Sequence, residues 1–213
     1  MNKTKIDWCD MTWNPVRGCL NLCPYCYARK MGTRFEGHFN PTFHPERLDE
    51  LARIKKSQNI FVCSMADLFG DWVPDEWIRD VFNACIAASQ HRYLFLTKNP
   101  MRYTNLMLTA PSNAWFGTTM TKYDSEYFYS DNLNTFLSIE PIQEDINIDS
   151  LFKIKWVIIG RETGNRKDKI IPKKEWIANI MNYCKEKNVP VFMKNNLKDI
   201  WLEPLVQEFP WKN

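Results

Sequence analysis

Six short apolar runs punctuate the chain: 60–64 (IFVCS), 93–96 (YLFL), 114–117 (AWFG), 135–139 (TFLSI), 156–159 (WVII) and 189–193 (VPVFM). They are nearly continuous in hydrophobicity, not alternating. That is the pattern of strands covered on both faces, as in a parallel sheet. A further, first strand is expected at 12–16. Between the runs lie helical stripes. In 74–89, Trp77, Ile78, Val81, Phe82, Cys85 and Ile86 fall on one face, and in 172–187 Trp176, Ile177, Ile180, Met181 and Cys184 do the same. A shorter helix is expected at 45–56. Each of the three begins with proline, which suits a first helical position. Strands joined by crossover helices imply a parallel α/β fold. The link between the third and fourth runs (TKYDSEYFYSDN) is short and polar, with room for a small helix or none. Repeats, low-complexity stretches and clear linkers are lacking, so the pattern predicts one compact domain over 1–213.

Composition narrows the picture. A chain of 213 residues, 45% of them hydrophobic, can bury a sizeable core. A net charge of +3 permits a nucleic-acid partner without demanding one. No stretch reaches the roughly 18 apolar residues that span a membrane. The N-terminus, MNKTKIDWCD, lacks the apolar centre of a signal peptide. These features predict a cytoplasmic protein whose thiols stay reduced. An odd total of 7 cysteines then points to metal or redox chemistry, not disulfides.

Three of those cysteines fall within RGCLNLCPYCYARK, spaced Cys19-x3-Cys23-x2-Cys26. Three thiolates can hold three corners of a cubane iron–sulfur cluster. The fourth iron then lacks a protein ligand, and an open position separates a reactive metal site from a structural one. The same three cysteines with His38 or His44 would make a tetrahedral zinc site, and the spacing leaves both readings open. Cys63, Cys85 and Cys184 read as core thiols, and Cys9 as a buried thiol or a ligand of a second metal.

Polar residues follow the apolar runs: Ser64 and Asp67, with Ala66 between them; Thr97 and Lys98; Thr118 and Thr119; Glu140; Arg161 and Glu162; Lys194. In parallel barrels the chemistry sits at these carboxyl ends. A charge directly after a buried strand must find a partner, which singles out Lys98, Glu140 and Glu162. Lys98, Glu140 and Lys194 are the candidate catalytic residues. Capping the next helix or facing water is the plainer role for any one of these polar residues. The segment 161–174 (RETGNRKDKIIPKK) carries six basic and two acidic residues. It is either a solvated basic edge or, with a helix start, an anion site. Tyr123, Tyr127, Phe128 and Tyr129 either pack a lid or stack on bases.

The cysteine spacing, with Tyr25 before the last cysteine, resembles the signature of the radical S-adenosylmethionine superfamily. Beyond it, IDWCDMTWNPVRGC, FVCSMADLFGDWVP, YLFLTKNPMRY, FLSIEP and WVIIGRETG…VPVFMKN resemble, in order and over nearly the whole chain, an uncharacterised phage-associated radical S-adenosylmethionine-like family. Genes of that family often lie beside a so-called three-Cys-motif partner protein. Many relatives have a longer loop between the first two cysteines, commonly read Gly-Gly-Glu where this chain has Gly160-Arg161-Glu162, and are longer between Thr119 and Thr135.

The resemblance implies a partial (β/α)6 TIM-like barrel of the radical S-adenosylmethionine type, with the cysteine loop after the first strand. It implies a 4Fe-4S cluster on Cys19, Cys23 and Cys26, whose open iron chelates S-adenosylmethionine. An electron from the cluster would cleave the sulfonium to a 5′-deoxyadenosyl radical and methionine. By superfamily geometry, Ser64, Met65 and Asp67 would approach the amino group of the cofactor. Thr118 and Thr119 would approach its ribose or carboxylate, and Tyr25 with the loop of Arg161 and Glu162 its adenine. A single-electron donor such as flavodoxin or ferredoxin is implied. The basic loop and the phage context point to a nucleotide or nucleic-acid substrate. The competing function is a zinc-bearing nucleic-acid-binding module without catalysis.

Overall fold

The first strand, β1 (Asn2–Lys3), runs antiparallel to β2 (Met11–Trp13), with Asn2 opposite Thr12. This is a computed structural model, and it describes residues 1–106, 110–123, 125–146, 148, 151 and 153–212. Contacts divide the chain into two compact units, Met1–Phe116 and Gly117–Asn213.

In the first unit the strand expected at 12–16 is broken. β2 ends at Trp13, and β3 (Val16–Arg17) turns away to pair antiparallel with β4 (Thr42–Phe43). Pro15 has no N–H to continue the ladder, and the Asn14 side chain takes over: its Oδ1 accepts from Met65 N at 2.9 Å and Ser64 Oγ at 3.2 Å. Helix α1 (Tyr27–Glu36) follows the cysteine loop. The helix expected at 45–56 is a 3-10 segment, Pro45–Arg53, with proline at its start as anticipated and Leu51 buried. β5 (Asn59–Val62) pairs parallel to β2, α2 (Asp75–Ala87) crosses over, and β6 (Arg92–Thr97) pairs parallel to β5. Ile78, Val81, Phe82 and Cys85 of α2 are buried, whereas Ile86 is 50% exposed. Pro74 is the N-cap of α2, one place earlier than the expected first turn. Phe69, Phe82, Phe95, Tyr103 and Phe116 pack with ring centroids 4.5–6.2 Å apart, edge-to-face for most pairs.

β7 (Ala114–Thr119), buried at all six positions, carries the chain into the second unit. There β8 (Asn134–Ile139), β9 (Val157–Ile159) and β10 (Val191–Met193) pair parallel in that order. All of β9 and β10 is buried, as uninterrupted apolar runs require. Between them α3 (Lys174–Glu186) buries Ile177, Ile180, Tyr183 and Cys184. Pro172 lies two residues ahead of α3, which begins without a side-chain cap. Among the described residues there are thus eight strands of mostly parallel sheet and three α-helices, an α/β fold. No described helix is long and apolar enough to cross a membrane.

Candidate functional site

The cysteine loop sits on the carboxyl side of β2 and β5. Gly18 N donates to Met65 O at 2.9 Å, and Gly18 bridges Ala66 in parallel. Gly18 has φ +87°, and a Cβ there would lie 2.0 Å from Asn40 O, so only glycine fits. Cys19 N donates to Phe39 O at 3.1 Å. Cys26 is the N-cap of α1, its Sγ accepting from Arg29 N at 3.3 Å. Cys19 Sγ accepts from Asn21 N at 3.5 Å. Burial pushes the Cys19 thiol up, and the Asp67 and Cys23 charges add to that.

Cys19, Cys23 and Cys26 are half-buried, whereas Cys63, Cys85 and Cys184 are buried in the core. Cys9 is half-buried as well. Among the described residues no three His, Cys, Asp or Glu side chains stand together at single-ion spacing. A cubane takes thiolates on three different irons, so it needs them wider apart than the ~3.8 Å that separates two sulfurs on one tetrahedral zinc. Three thiols on one loop, two of them already accepting backbone N–H bonds, are the donor type and number that such a cluster would take. Arg29 fits it too. Its guanidinium donates to Cys19 O at 2.7 Å and lies 5.5 Å from the Phe39 ring, while its buried Nε–H lacks a protein acceptor.

Asp67 joins this loop to the end of β6. Its carboxylate accepts from Asn21 Nδ2 at 2.9 Å, Thr97 Oγ1 at 2.6 Å, Lys98 N at 3.0 Å and Phe69 N at 3.2 Å. Four donors fill the lone-pair sites of a carboxylate. Asp67 is 5% exposed, and its bonds hold the loop to the end of β6. Lys98, freed from that tie at its side chain, lies with Nζ 5.8 Å from the Tyr25 ring. The expected catalytic lysine and cofactor-binding tyrosine thus come together beside Cys26. Ser64 is half-buried, its hydroxyl on Asn14 and its carbonyl accepting from Tyr27 at 3.0 Å. Met65 is also half-buried, with both backbone groups engaged.

The second unit gathers its own strand ends. Lys194 Nζ donates to Glu140 Oε1 at 2.5 Å, and Asn196 Nδ2 reaches the same oxygen at 3.5 Å. A Cβ on Gly160 would stand 3.0 Å from Lys194 Cδ and 3.1 Å from Glu140 Oε1, so the glycine makes room for the pair. Arg161 is bound by Asn196 and by Asp199, the latter at 2.5 Å. Glu162, 5% exposed, takes a bidentate bond from Arg166 at 2.8 and 2.7 Å. Thr118 is fully buried and accepts from Phe128 N at 3.1 Å, and Thr119 is 9% exposed. The Thr118 hydroxyl thus holds the backbone of the segment that follows β7.

The basic segment is largely compensated. Besides Arg161 and Arg166, Lys174 pairs with Glu203 at 3.0 Å, Lys169 bonds Gly164 O, and Lys173 lies over Trp176. That favours the solvated edge over the anion site. Phe128 is buried, whereas Tyr123 and Tyr129 are 60% and 42% exposed. His44 pairs with Glu46 and His38 accepts from Asn40 N, so both histidines have local partners. Sequence reasoning missed Asn14, Asn21, Arg29, Asn196 and Asp199. Each acts on a group ten or more residues away in sequence, and no motif announces that. Only Asn21 and Arg29, placed inside the cysteine segment, carried a signal by position.

Comparison with solved structures shows the fold. Spore photoproduct lyase complexed with dinucleoside spore photoproduct matches with a TM-score of 0.58 at 10% identity, over 90% of this chain and 78% of that one. A mutant of the same lyase with bound AdoMet and dinucleoside spore photoproduct matches at 0.59 and 9%, with the same coverage. Another of its mutants reaches 0.62 at 10% identity, again covering 90% and 78%. The α/β architecture is therefore that of a partial TIM-like barrel, as in this lyase. No curated protein matches the chain. Residues 3–200 match a family profile over nearly the whole chain, and the chain belongs to that family, described as "Protein of unknown function (DUF5131)".

Proposed function

We propose that this chain is a cytosolic radical S-adenosylmethionine enzyme in which Cys19, Cys23 and Cys26 hold a 4Fe-4S cluster. When bound, the cluster would supply an electron to the sulfonium of S-adenosylmethionine. The observation that carries the reading is the placement of three half-buried thiols on one loop, tied by Asp67 to the end of β6 and by Arg29 to α1, in the fold of spore photoproduct lyase. The chain's own groups have distinct tasks. Gly18 lets the backbone approach Asn40, Asn21 and Asp67 fix the loop, and Arg29 clamps its first cysteine. Lys98 and Tyr25 form an amphipathic wall beside Cys26. Glu140 and Lys194 are the proposed proton-handling pair, since each holds the other's charge at a strand end.

Two of the similar lyase structures described above hold dinucleoside spore photoproduct, which supports a nucleotide or nucleic-acid substrate here. The phage association and the three-Cys-motif partner belong to the same proposal, as does the treatment of 1–213 as one domain. The test is anaerobic reconstitution with iron and sulfide. About four irons per chain, broad absorption near 400 nm and reductant-dependent formation of 5′-deoxyadenosine would support the reading. A colourless protein with one tight zinc would instead identify a zinc-bearing nucleic-acid-binding module. A full cluster without cleavage under a competent reductant would rule out catalysis.

A further inference from the structure

Helix α1 turns two aromatic rings to solvent. Tyr27, Met31 and Phe35 recur every four residues and are 52%, 46% and 72% exposed. Residues four apart share a helix face. The inward positions are the small ones: Ala28 is 4% exposed, and a Cβ on Gly32 would stand 2.4 Å from the Phe39 ring. The helix therefore buries its smallest side chains and exposes its largest, the reverse of an ordinary surface helix. A grouped set of exposed apolar residues marks a site of interaction. Tyr27 and Phe35 stand eight residues apart, about 12 Å along the axis. That spans about three to four nucleotides stacked at ~3.4 Å each. The Tyr27 hydroxyl donates to Ser64 O at 3.0 Å, which holds this ring by its tip.

Cations run beside the rings. Lys30 follows Tyr27, and Arg34 follows Met31, by three residues, so each borders the stripe. Both are exposed, and the Arg34 guanidinium lies 5.5 Å from the Phe35 ring. The pairing of ring and cation recurs at the cysteine loop, where the exposed Lys98 places Nζ 5.8 Å from the Tyr25 ring. Residues 11–35 contain Arg17, Arg29, Lys30 and Arg34 and not one acidic residue; the next acid is Glu36, the last residue of α1. Rings for bases and cations for phosphates, interleaved on one face, complement a polynucleotide. Met31, and Leu20 and Leu22 on the loop leading into the helix, add apolar surface on which a base can also lie. A double helix keeps its base faces stacked inside, so exposed rings select an unpaired strand.

We propose that the outer face of α1 docks a single-stranded nucleic acid, with bases against Tyr27 and Phe35 and phosphates against Lys30 and Arg34. The inference deepens the nucleic-acid reading above and rests on it. It moves the contact away from the basic segment 161–174, whose charges are largely paired, to cations that border exposed rings. Cys26 caps the helix, and Tyr27, the first residue of the stripe, follows it directly. A strand lying along the stripe therefore ends beside the cysteine loop.

The test is fluorescence anisotropy of labelled oligo(dT) and oligo(U), about 12 nucleotides long, and of a duplex of the same length, on the reconstituted protein with its iron content measured alongside. The parent should bind a single strand more tightly than the duplex. K30Q/R34Q should weaken that binding about tenfold and reduce the slope of log K against log salt by about 1.4, the share of two phosphate contacts. Phe35→Ala should weaken it about tenfold with the slope unchanged, and Phe35→Trp, which keeps a stacking plane, should restore it. A merely structural role for Phe35 would not give that pattern of rescue. A parent that binds the strands while both Phe35→Ala and K30Q/R34Q bind equally well overturns the α1 face alone. A parent that binds no strand overturns the nucleic-acid reading with it. Polyglutamate displacing oligo(dT) as well as unlabelled oligo(dT) does would make an acidic protein the occupant, and a parent dimer that Phe35→Ala splits would make it a second copy; either overturns the proposal. Strand binding by a protein that takes up no iron overturns the cluster reading and leaves the docking face standing.

Discussion

At the scale of single residues, Asp67 and the cysteines decide the local chemistry. Asp67→Ala removes the acceptor of four hydrogen bonds at a buried position. The stranded donors should cost about 2–4 kcal/mol, read as a lowered urea midpoint. Iron bound per chain should fall in the same variant, because Asn21 lies between Cys19 and Cys23. An Asp67→Ala protein with an unchanged midpoint and full iron would remove Asp67 from this role. The thiols should also separate by reactivity. Burial pushes Cys63 and Cys184 up to about 12 and Cys85 well above its ordinary value. A raised thiol pKa means a neutral, unreactive sulfur at pH 8. Iodoacetamide on the native, metal-free protein should therefore label the half-buried Cys9, Cys23 and Cys26, label Cys19 more slowly because burial raises its thiol too, and spare Cys63, Cys85 and Cys184, as read by peptide mass spectrometry. Labelling of Cys85 before unfolding would contradict the packing described here.

At the scale of elements, the helices and strands that bury an apolar face were legible and the others were not. α2 and α3 follow their stripes because Ile78, Val81 and Phe82, or Ile177 and Ile180, need the core. α1 was invisible because its large apolar residues point outward and its caps are a cysteine Sγ and Gly37 in the left-handed region, with φ +74°. The strand at 12–16 was misjudged because hydrophobicity does not register the missing N–H of Pro15. Close approach between elements is equally silent in a sequence. Gly160→Ala should push Lys194 off Glu140, with Cβ contacts of 3.0 and 3.1 Å. We expect turnover to drop about tenfold or more while the unfolding midpoint moves by less than about 1 kcal/mol. A large loss of stability with unchanged turnover would make the pair structural. Gly18→Ala is the severe case, since its Cβ would overlap Asn40 O at positive φ. That variant should lose the loop geometry and with it the iron.

At the scale of the whole molecule, the bound cofactor and the domain count can be tested together. If the cluster binds only the folded chain, loaded protein should melt higher than chelator-stripped protein, by about 2–4 °C for each kcal/mol of linkage. Equal melting curves would mean that the iron is adventitious. A single calorimetric transition over 1–213 is expected for one domain, and two resolved transitions would instead match the compact units Met1–Phe116 and Gly117–Asn213. By itself the sequence determined the α/β class, the strand ends as the place of polar residues and the three-cysteine loop, because burial and spacing are local properties of the chain. Only the tertiary structure decided that Asp67 is a tether, that Thr118 is buried, that Lys98 meets Tyr25 and that Lys194 meets Glu140. Those roles depend on which donors and acceptors folding brings within three or so ångströms, often across tens of residues, and no periodicity along the chain encodes that.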